Sequence, residues 1–417
     1  MLNPPLSLLS VQLLDSIVDY TAKLSAWWKQ VASLALADRA FTARCRTHLF
    51  KELIILDSRQ TDEEWDATIE RKWRVLDDKP PLSRHILYIE IGICIPDRAQ
   101  VLVDDRFRKI SKILNDFPNS GRHLRFGMVA GQRDLPDPRG FIESISLLAP
   151  TLTKIQLVGW ANLPVEVFLG CPNLKVITLQ DVVPAKDAVV TPGNYSSPPK
   201  IERLEYNVSH MFIEALLRPP NLTTGPTFDW TSLRVLKVSP HEHNDMVHVQ
   251  PILNATSETL EKLLFLFLSI NKKQLPLKNL VNLEATKKLR AISIRVIINC
   301  KTKNTSVLHD LHDVLGTIPQ NNIVKTIALE LMVYGKQPFK VCLDQDWDGL
   351  CREVVRISAS KPLDFHLYTC AEPDSFDEAP GSARLYQRLE EKILSAFSDQ
   401  LHIAFHPLNN ISLWQPS

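Results

Sequence analysis

Apolar and polar positions along this chain fall into one phrase that repeats over most of its length. A turn, Cys171-Pro172-Asn173, leads into Leu174-x-x-Ile177-x-Leu179, where apolar residues alternate in the manner of a strand. Successive strand side chains point to opposite faces, so Ile177 and Leu179 enter one core while Val176, Thr178 and Gln180 look away. The phrase returns at Leu152-x-x-Ile155-x-Leu157, Ile201-x-x-Leu204-x-Tyr206, Leu233-x-x-Leu236-x-Val238 and Leu260-x-x-Leu263-x-Phe265. It continues at Leu289-x-x-Ile292-x-Ile294 and Val324-x-x-Ile327-x-Leu329. One such strand cannot bury its apolar face alone, whereas many stacked side by side can, which is the logic of a solenoid. Between strands the spacing becomes helical, at residues 105–117, 141–148, 165–169, 211–217, 307–315, 350–357 and 383–397. A helix in each strand-to-strand connection predicts a parallel sheet, so the expected fold is an α/β solenoid with a curved parallel sheet. Segments 183–199, 219–229, 240–246 and 371–382 read as insertions, and the tail around Trp414 as a cap on the last strand.

Residues 1–50 follow a different pattern. Apolar positions 13, 14, 17 and 18 share one helical face behind Ser10, a candidate N-cap. A second helix, about 26–36, carries Trp27, Trp28, Val31, Leu34 and Leu36, and a third, about 38–50, carries Phe41, Cys45, Leu49 and Phe50. Three short helices make a small core that is marginal by itself, so the module is expected to lean on its neighbour or on a partner. The chain is therefore read as a helical module over 1–50 and a solenoid with a C-terminal cap over 51–417.

The first of these segments resembles the F-box motif of fungal proteins that carry leucine-rich-repeat-like arrays. The residues that carry the resemblance are Leu9, Leu13, Leu14, Ile17 and Val18, then Leu36-Ala37-Asp38-Arg39-Ala40-Phe41, then Arg46-Thr47-His48-Leu49-Phe50 running into the strand Lys51-Glu52-Leu53-Ile54-Ile55-Leu56. The chain departs from the motif at Ser10 (proline in the motif), at Gln12 (glutamate), and in an expanded linker over 22–29. The resemblance implies a non-catalytic adaptor of a Skp–cullin–F-box ubiquitin ligase. It implies that Leu9, Leu13, Leu14, Ile17, Val18, Leu36, Phe41 and Phe50 meet a Skp-type adaptor, itself docked on a cullin–RING ligase. A protein target would then lie on the concave sheet face, against Lys154, Gln156, Thr178, Gln180, Arg203, Glu205, Lys237, Ser293, Arg295 and Glu330. The other reading is a leucine-rich-repeat-like interaction scaffold with no ligase link, which Ser10 and Gln12 favour.

Composition narrows the partners. Lys plus Arg number 48 against 47 Asp plus Glu, a formal charge of +1, and this balance points away from nucleic acid and anionic membranes. The sheet-face residues are mixed in sign, which favours a protein target over a polyanion. Seven scattered cysteines with no Cys-x-x-Cys suit reduced, buried thiols in a cytoplasmic or nuclear protein. No signal peptide is expected, since no basic stretch precedes the first apolar residues and Asp15 and Asp19 interrupt them. The densest apolar run, residues 263–270, is too short to cross a bilayer.

Candidate chemistry is sparse, and no enzyme, metal or cofactor is expected. His241-x-His243-x-Asp245-x-x-His248 has ligand-type residues without a recognised full set, and reads as a polar loop. Metal-dependent chemistry there is the third reading of the chain. Asp344-x-Asp346-x-Asp348-Gly349 mimics the start of a calcium loop, but its twelfth position is Val355 and its ninth Arg352, so helix capping explains it better. Cys45 and His48 share the apolar third helix and read as packing. His85, His123 and His210 read as ordinary histidines beside strands.

Overall fold

In the computed structural model each repeated phrase does two jobs: its first apolar residue closes a turn and the next two enter a strand. Leu174, Ile177 and Leu179 are buried, while Val176 and Thr178 are half-buried and Gln180 is exposed. The same alternation governs the strands at Arg203–Asn207 and Val235–Ser239. Burying each such aliphatic side chain contributes roughly 1.5–3 kcal/mol.

The structure describes residues 11–23, 27–56, 61–93, 105–119, 121–128, 133–135, 137–186, 198–217, 228–241, 243–266, 277, 280–299, 307–334, 345–359, 361–371 and 402–407, with 387, 388, 391, 392 and 395. Leu9, Ser10, the tail around Trp414 and most of the expected insertions lie outside them. The chain divides into two compact units, Met1–Pro199 with Pro219–Thr227, and Lys200–Arg218 with Phe228–Ser417.

The first unit opens with three helices, α1 (Val11–Thr21), α2 (Trp27–Ala37) and α3 (Arg39–Leu49). Strands β1 (Glu52–Leu56), β2 (Tyr88–Ile93), β3 (Arg122–Met128), β5 (Leu152–Val158) and β7 (Val176–Gln180) then pair in that order, all parallel. A separate two-stranded ribbon joins β4 (Arg133–Asp134) to β6 (Trp160–Ala161). Helices α4 (Asp62–Asp78), α5 (Asp105–Asp116) and α6 (Pro138–Leu148) lie in the connections. Two apolar ladders run across the strands in register: Leu53–Ile89–Leu124–Ile155–Ile177 and Ile55–Ile91–Phe126–Leu157–Leu179. Trp160 closes the far end, its ring stacked on Phe126 at 4.4 Å. At Gly127 an added Cβ would stand 3.0 Å from the Cβ of Val158, so β3 and β5 approach too closely there for a larger residue.

The second unit repeats the arrangement with β8 (Arg203–Asn207), β9 (Val235–Ser239), β10 (Lys262–Leu266), β11 (Ala291–Asn299), β12 (Thr326–Tyr334), β13 (Asp364–Ala371) and β14 (His402–Pro407), again all parallel. Its ladders are Leu204–Leu236–Leu263–Ile292–Ile327–Phe365 and Tyr206–Val238–Phe265–Ile294–Leu329–Leu367. The connecting helices are α7 (His210–Leu217), α8 (His243–Val247), α9 (Val249–Ala255), α10 (Val307–Gly316) and α11 (Trp347–Ser358). The chain is thus a mixed α/β protein with all-parallel pairing in its main strands, as the helical connections require.

Turn chemistry repeats along with the strands. A hydroxyl in the last turn before a strand donates to a carbonyl three residues back: Ser83 to Pro80, Thr151 to Leu148, Thr286 to Leu283, Thr317 to Val314 and Ser358 to Val355, all at 2.6–2.8 Å. The amide of Asn119 donates to the Arg84 carbonyl, and that of Asn173 to the Pro150 carbonyl. The backbone N–H leading into a strand is repeatedly bonded to the stretch leading into its predecessor; in the second unit Arg234, Glu261, Arg290, Lys325 and Asp364 donate in turn to Glu202, Arg234, Glu261, Arg290 and Lys325.

Two connections depart from expectation. The helix expected at 165–169 is a single 3-10 turn, Val165–Phe168, because Pro164 before it and the Cys171-Pro172 turn after it leave no room for a longer one. The insertion expected at 240–246 contains α8, in which Asp245 and Met246 are buried.

Candidate docking surfaces

The helical module has a core of Leu14 and Val18 from α1, Val31 from α2, and Phe41 and Cys45 from α3. Ile17, Ala22, Leu34, Ala35 and Leu49 pack around it. Asp38 starts α3 by accepting the Ala40 N–H at 2.8 Å, as an N-cap should. Asp19 ties α1 to α3, accepting two bonds at 2.7 Å from Arg44 and meeting His48 at 2.8 Å. The Arg44 guanidinium, and after it His48, hold the Asp19 carboxyl well below the usual carboxylate range. Burial pushes the Cys45 thiol up, which makes it a poor nucleophile and a good core residue.

This packing sorts the eight adaptor-facing residues expected from sequence. Leu14, Val18 and Phe41 are buried in the bundle, and Ile17 and Phe50 are half-buried. Leu13 and Leu36 project into solvent, with Leu36 88% exposed. Leu9 lies outside the described residues. The structure adds Val11, Tyr20 and Trp28 as exposed apolar side chains. Five of the nine large apolar side chains exposed among the described residues therefore sit on these three helices. A pair of adjacent tryptophans was the sequence signal for one of them; Val11 and Tyr20 gave none.

All ten residues expected to face a target lie on strands, at positions alternating with the ladders. In the first unit, Lys154, Gln156 and Thr178 are half-buried and Gln180 is exposed. Beside Lys154 in register stands His123, whose ring meets Tyr88 edge-on at 4.8 Å. Burial, reinforced by Lys154 and Arg125, lowers the His123 imidazole to about 4, so it is neutral at physiological pH. Arg125 pairs with Glu90 across β2 and β3 at 3.2 Å. In the second unit, Glu205 is gripped by Arg203 at 2.6 Å and by Lys237 at 3.1 Å. Burial alone would raise the Glu205 carboxyl, but Lys237 and Arg203 outweigh it and hold the group below its ordinary range. Arg295 pairs with Glu330 across β11 and β12 at 2.8 Å, and Ser293 lies half-buried two residues away. These faces are polar, mixed in sign and laced by cross-strand pairs.

The other motifs resolve into structure. Asp346 caps α11 by accepting the Gly349 N–H at 2.9 Å, with Asp348 in the first turn. Asp245 is buried, with one carboxylate oxygen 3.3 Å from His210 Nδ1 and the other accepting the His241 N–H at 2.9 Å. Tyr206 donates to its backbone carbonyl. These bonds pin α8 to β8 and α7, and account for a carboxylate that sequence placed in a loop. Among the described residues no helix is long and apolar enough to cross a membrane.

No family model and no curated protein matches the chain.

Proposed function

We propose that this chain is a non-catalytic recognition adaptor of a Skp–cullin–F-box ubiquitin ligase, working in the cytoplasm or nucleus. The helical module docks on the Skp-type adaptor, and the polar strand faces of an irregular leucine-rich-repeat-like solenoid bind a protein target. The observation that carries this reading is the surplus of exposed apolar side chains on α1 and α2, namely Val11, Leu13, Tyr20, Trp28 and Leu36. Apolar residues gathered on one small module mark interaction sites. The in-register ladders, repeated turn hydroxyls and strand-to-strand bonds support the solenoid part of the reading. The mixed signs of the strand faces support a protein as target.

Co-purification with the Skp-type adaptor tests the proposal. Leu13→Asp with Leu36→Asp is the informative variant, because both side chains are exposed and the bundle core stays whole. Loss of the adaptor with an unchanged far-UV circular dichroism spectrum is expected; retention rules the docking surface out. A variant at Leu14 would be uninformative, since it breaks the core. The second reading, a repeat scaffold without a ligase link, is favoured by Ser10 and Gln12 standing where the motif has proline and glutamate. It predicts no adaptor binding even for the unaltered chain.

A further inference from the structure

Helices α10 and α11 gather imidazole and carboxylate groups that the proposed function leaves unused. His309 and His312 lie one helical turn apart on α10, their rings stacked at 5.8 Å between centroids. One ligating atom from each, together with a carboxylate oxygen of Asp313, falls within 4.8 Å of the other two. His312 Nδ1 stands 3.3 Å from Asp313 Oδ1. Tetrahedral zinc with bonds of about 2.0–2.2 Å places neighbouring donors roughly 3.4 Å apart. The His312–Asp313 spacing already has that value, and His309, which is exposed, closes the rest by a side-chain rotation.

On the outer side of His312 a carboxylate stands at ion-pair distance, just beyond a hydrogen bond. Its Nε2 faces Glu353 Oε1 of α11 at 3.7 Å. Glu353 is itself held, its Oε2 accepting from Arg356 Nε at 2.6 Å. Arg356 is fixed by donating to the carbonyls of Leu315, Gly316 and Ile318 at the end of α10. A carboxylate that closes to hydrogen-bond distance on one ring nitrogen sets the tautomer that presents the other to a metal.

We propose that His309, His312 through Nδ1, and Asp313 form a divalent-metal site, with Glu353 as the positioning residue for His312 and a water in the fourth place. Two imidazoles and a carboxylate suit zinc best among the common divalent ions. The site is independent of the ligase reading.

The test uses the full-length chain, stripped with a chelator and titrated with zinc against a chromophoric competitor at pH 7.5, then with cobalt followed by its visible absorption. One equivalent is expected at this site. His309→Ala abolishes it, and the exposure of that residue leaves the fold intact, which circular dichroism verifies. Glu353→Gln weakens affinity about 10–100-fold without removing a ligand. No metal uptake by the unaltered chain overturns the proposal. So does uptake that His309→Ala leaves unchanged, which would place the ion elsewhere, for instance on the histidines of residues 241–248.

Discussion

The helical module and the strand-bearing part of the first unit treat charge and apolar surface in opposite ways. In the module the linking carboxylate, Asp19, sits at the surface between Arg44 and His48, while large apolar side chains face water. Among the strands the ladder residues are buried, and a cation goes inside with them. Arg122, at the start of β3, is fully buried and donates to the carbonyls of Ser83, Ile86, Leu114 and Phe117 and to the Thr151 hydroxyl. Burial lowers its guanidinium to about 10, still charged at neutral pH. Backbone dipoles at the ends of two helical turns, together with the Thr151 hydroxyl, take the place of a carboxylate partner. The difference teaches what each part can give to a partner: the strands have spent their apolar groups on one another, whereas the module has kept some back.

Arg122→Leu attacks the strand side of this contrast most directly. It strands several buried carbonyls at once, each costing about 1–3 kcal/mol, so a loss of at least ~3 kcal/mol is expected in urea unfolding. Leu14→Ala against Leu13→Ala divides the module: the first should cost about 2–4 kcal/mol through a cavity in a core of five residues. The second should stay within about 0.5 kcal/mol. Equal losses from the two would mean that Leu13 is not at the surface. In the second unit, Asp346→Ala removes the cap of α11 and should cost about 1 kcal/mol, with Asp346→Asn recovering most of it. The smallest effect belongs to Asp19. Its carboxyl is depressed in the folded state, so its contribution is present above the ordinary carboxylate range and fades as pH falls through the folded value. Because the pair is more than a third exposed, Asp19→Asn should cost a fraction of 1 kcal/mol at pH 7 and nothing in strong acid. Unfolding curves at several pH values would separate this from a core effect.

How far the fold was readable follows from the range of the interactions involved. The strand phrase was legible because period-two alternation is a local signal, and every ladder residue from Ile155 to Leu329 that it nominated is buried. The hydroxyls at Thr151, Thr286 and Thr317 carry no such pattern; each is one Thr among many until the turn is seen. Arg122 was silent for the same reason, since its five acceptors come from three separate stretches of chain. Leu13 and Leu14 are both apolar neighbours in sequence, and only the placement of α2 and α3 decides that one is core and the other surface. Asp245 belongs in a loop by composition, but His210, more than thirty residues earlier, lies beside it and supports its burial. His309 and His312 are one turn apart on a helix that the apolar spacing did predict. Their convergence with Asp313 depends on side-chain directions that spacing does not report.

The bonds leading into each strand have a consequence for how the protein is made. From β9 to β13 each strand starts on a hydrogen bond to the one laid down just before it, so none of these rungs waits for a segment still inside the ribosome. Growth can proceed vectorially, each newly emerged segment docking on a template already in place, in the manner of a wall raised course by course. A closed barrel, by contrast, would hold its first edge open until the last residue arrived.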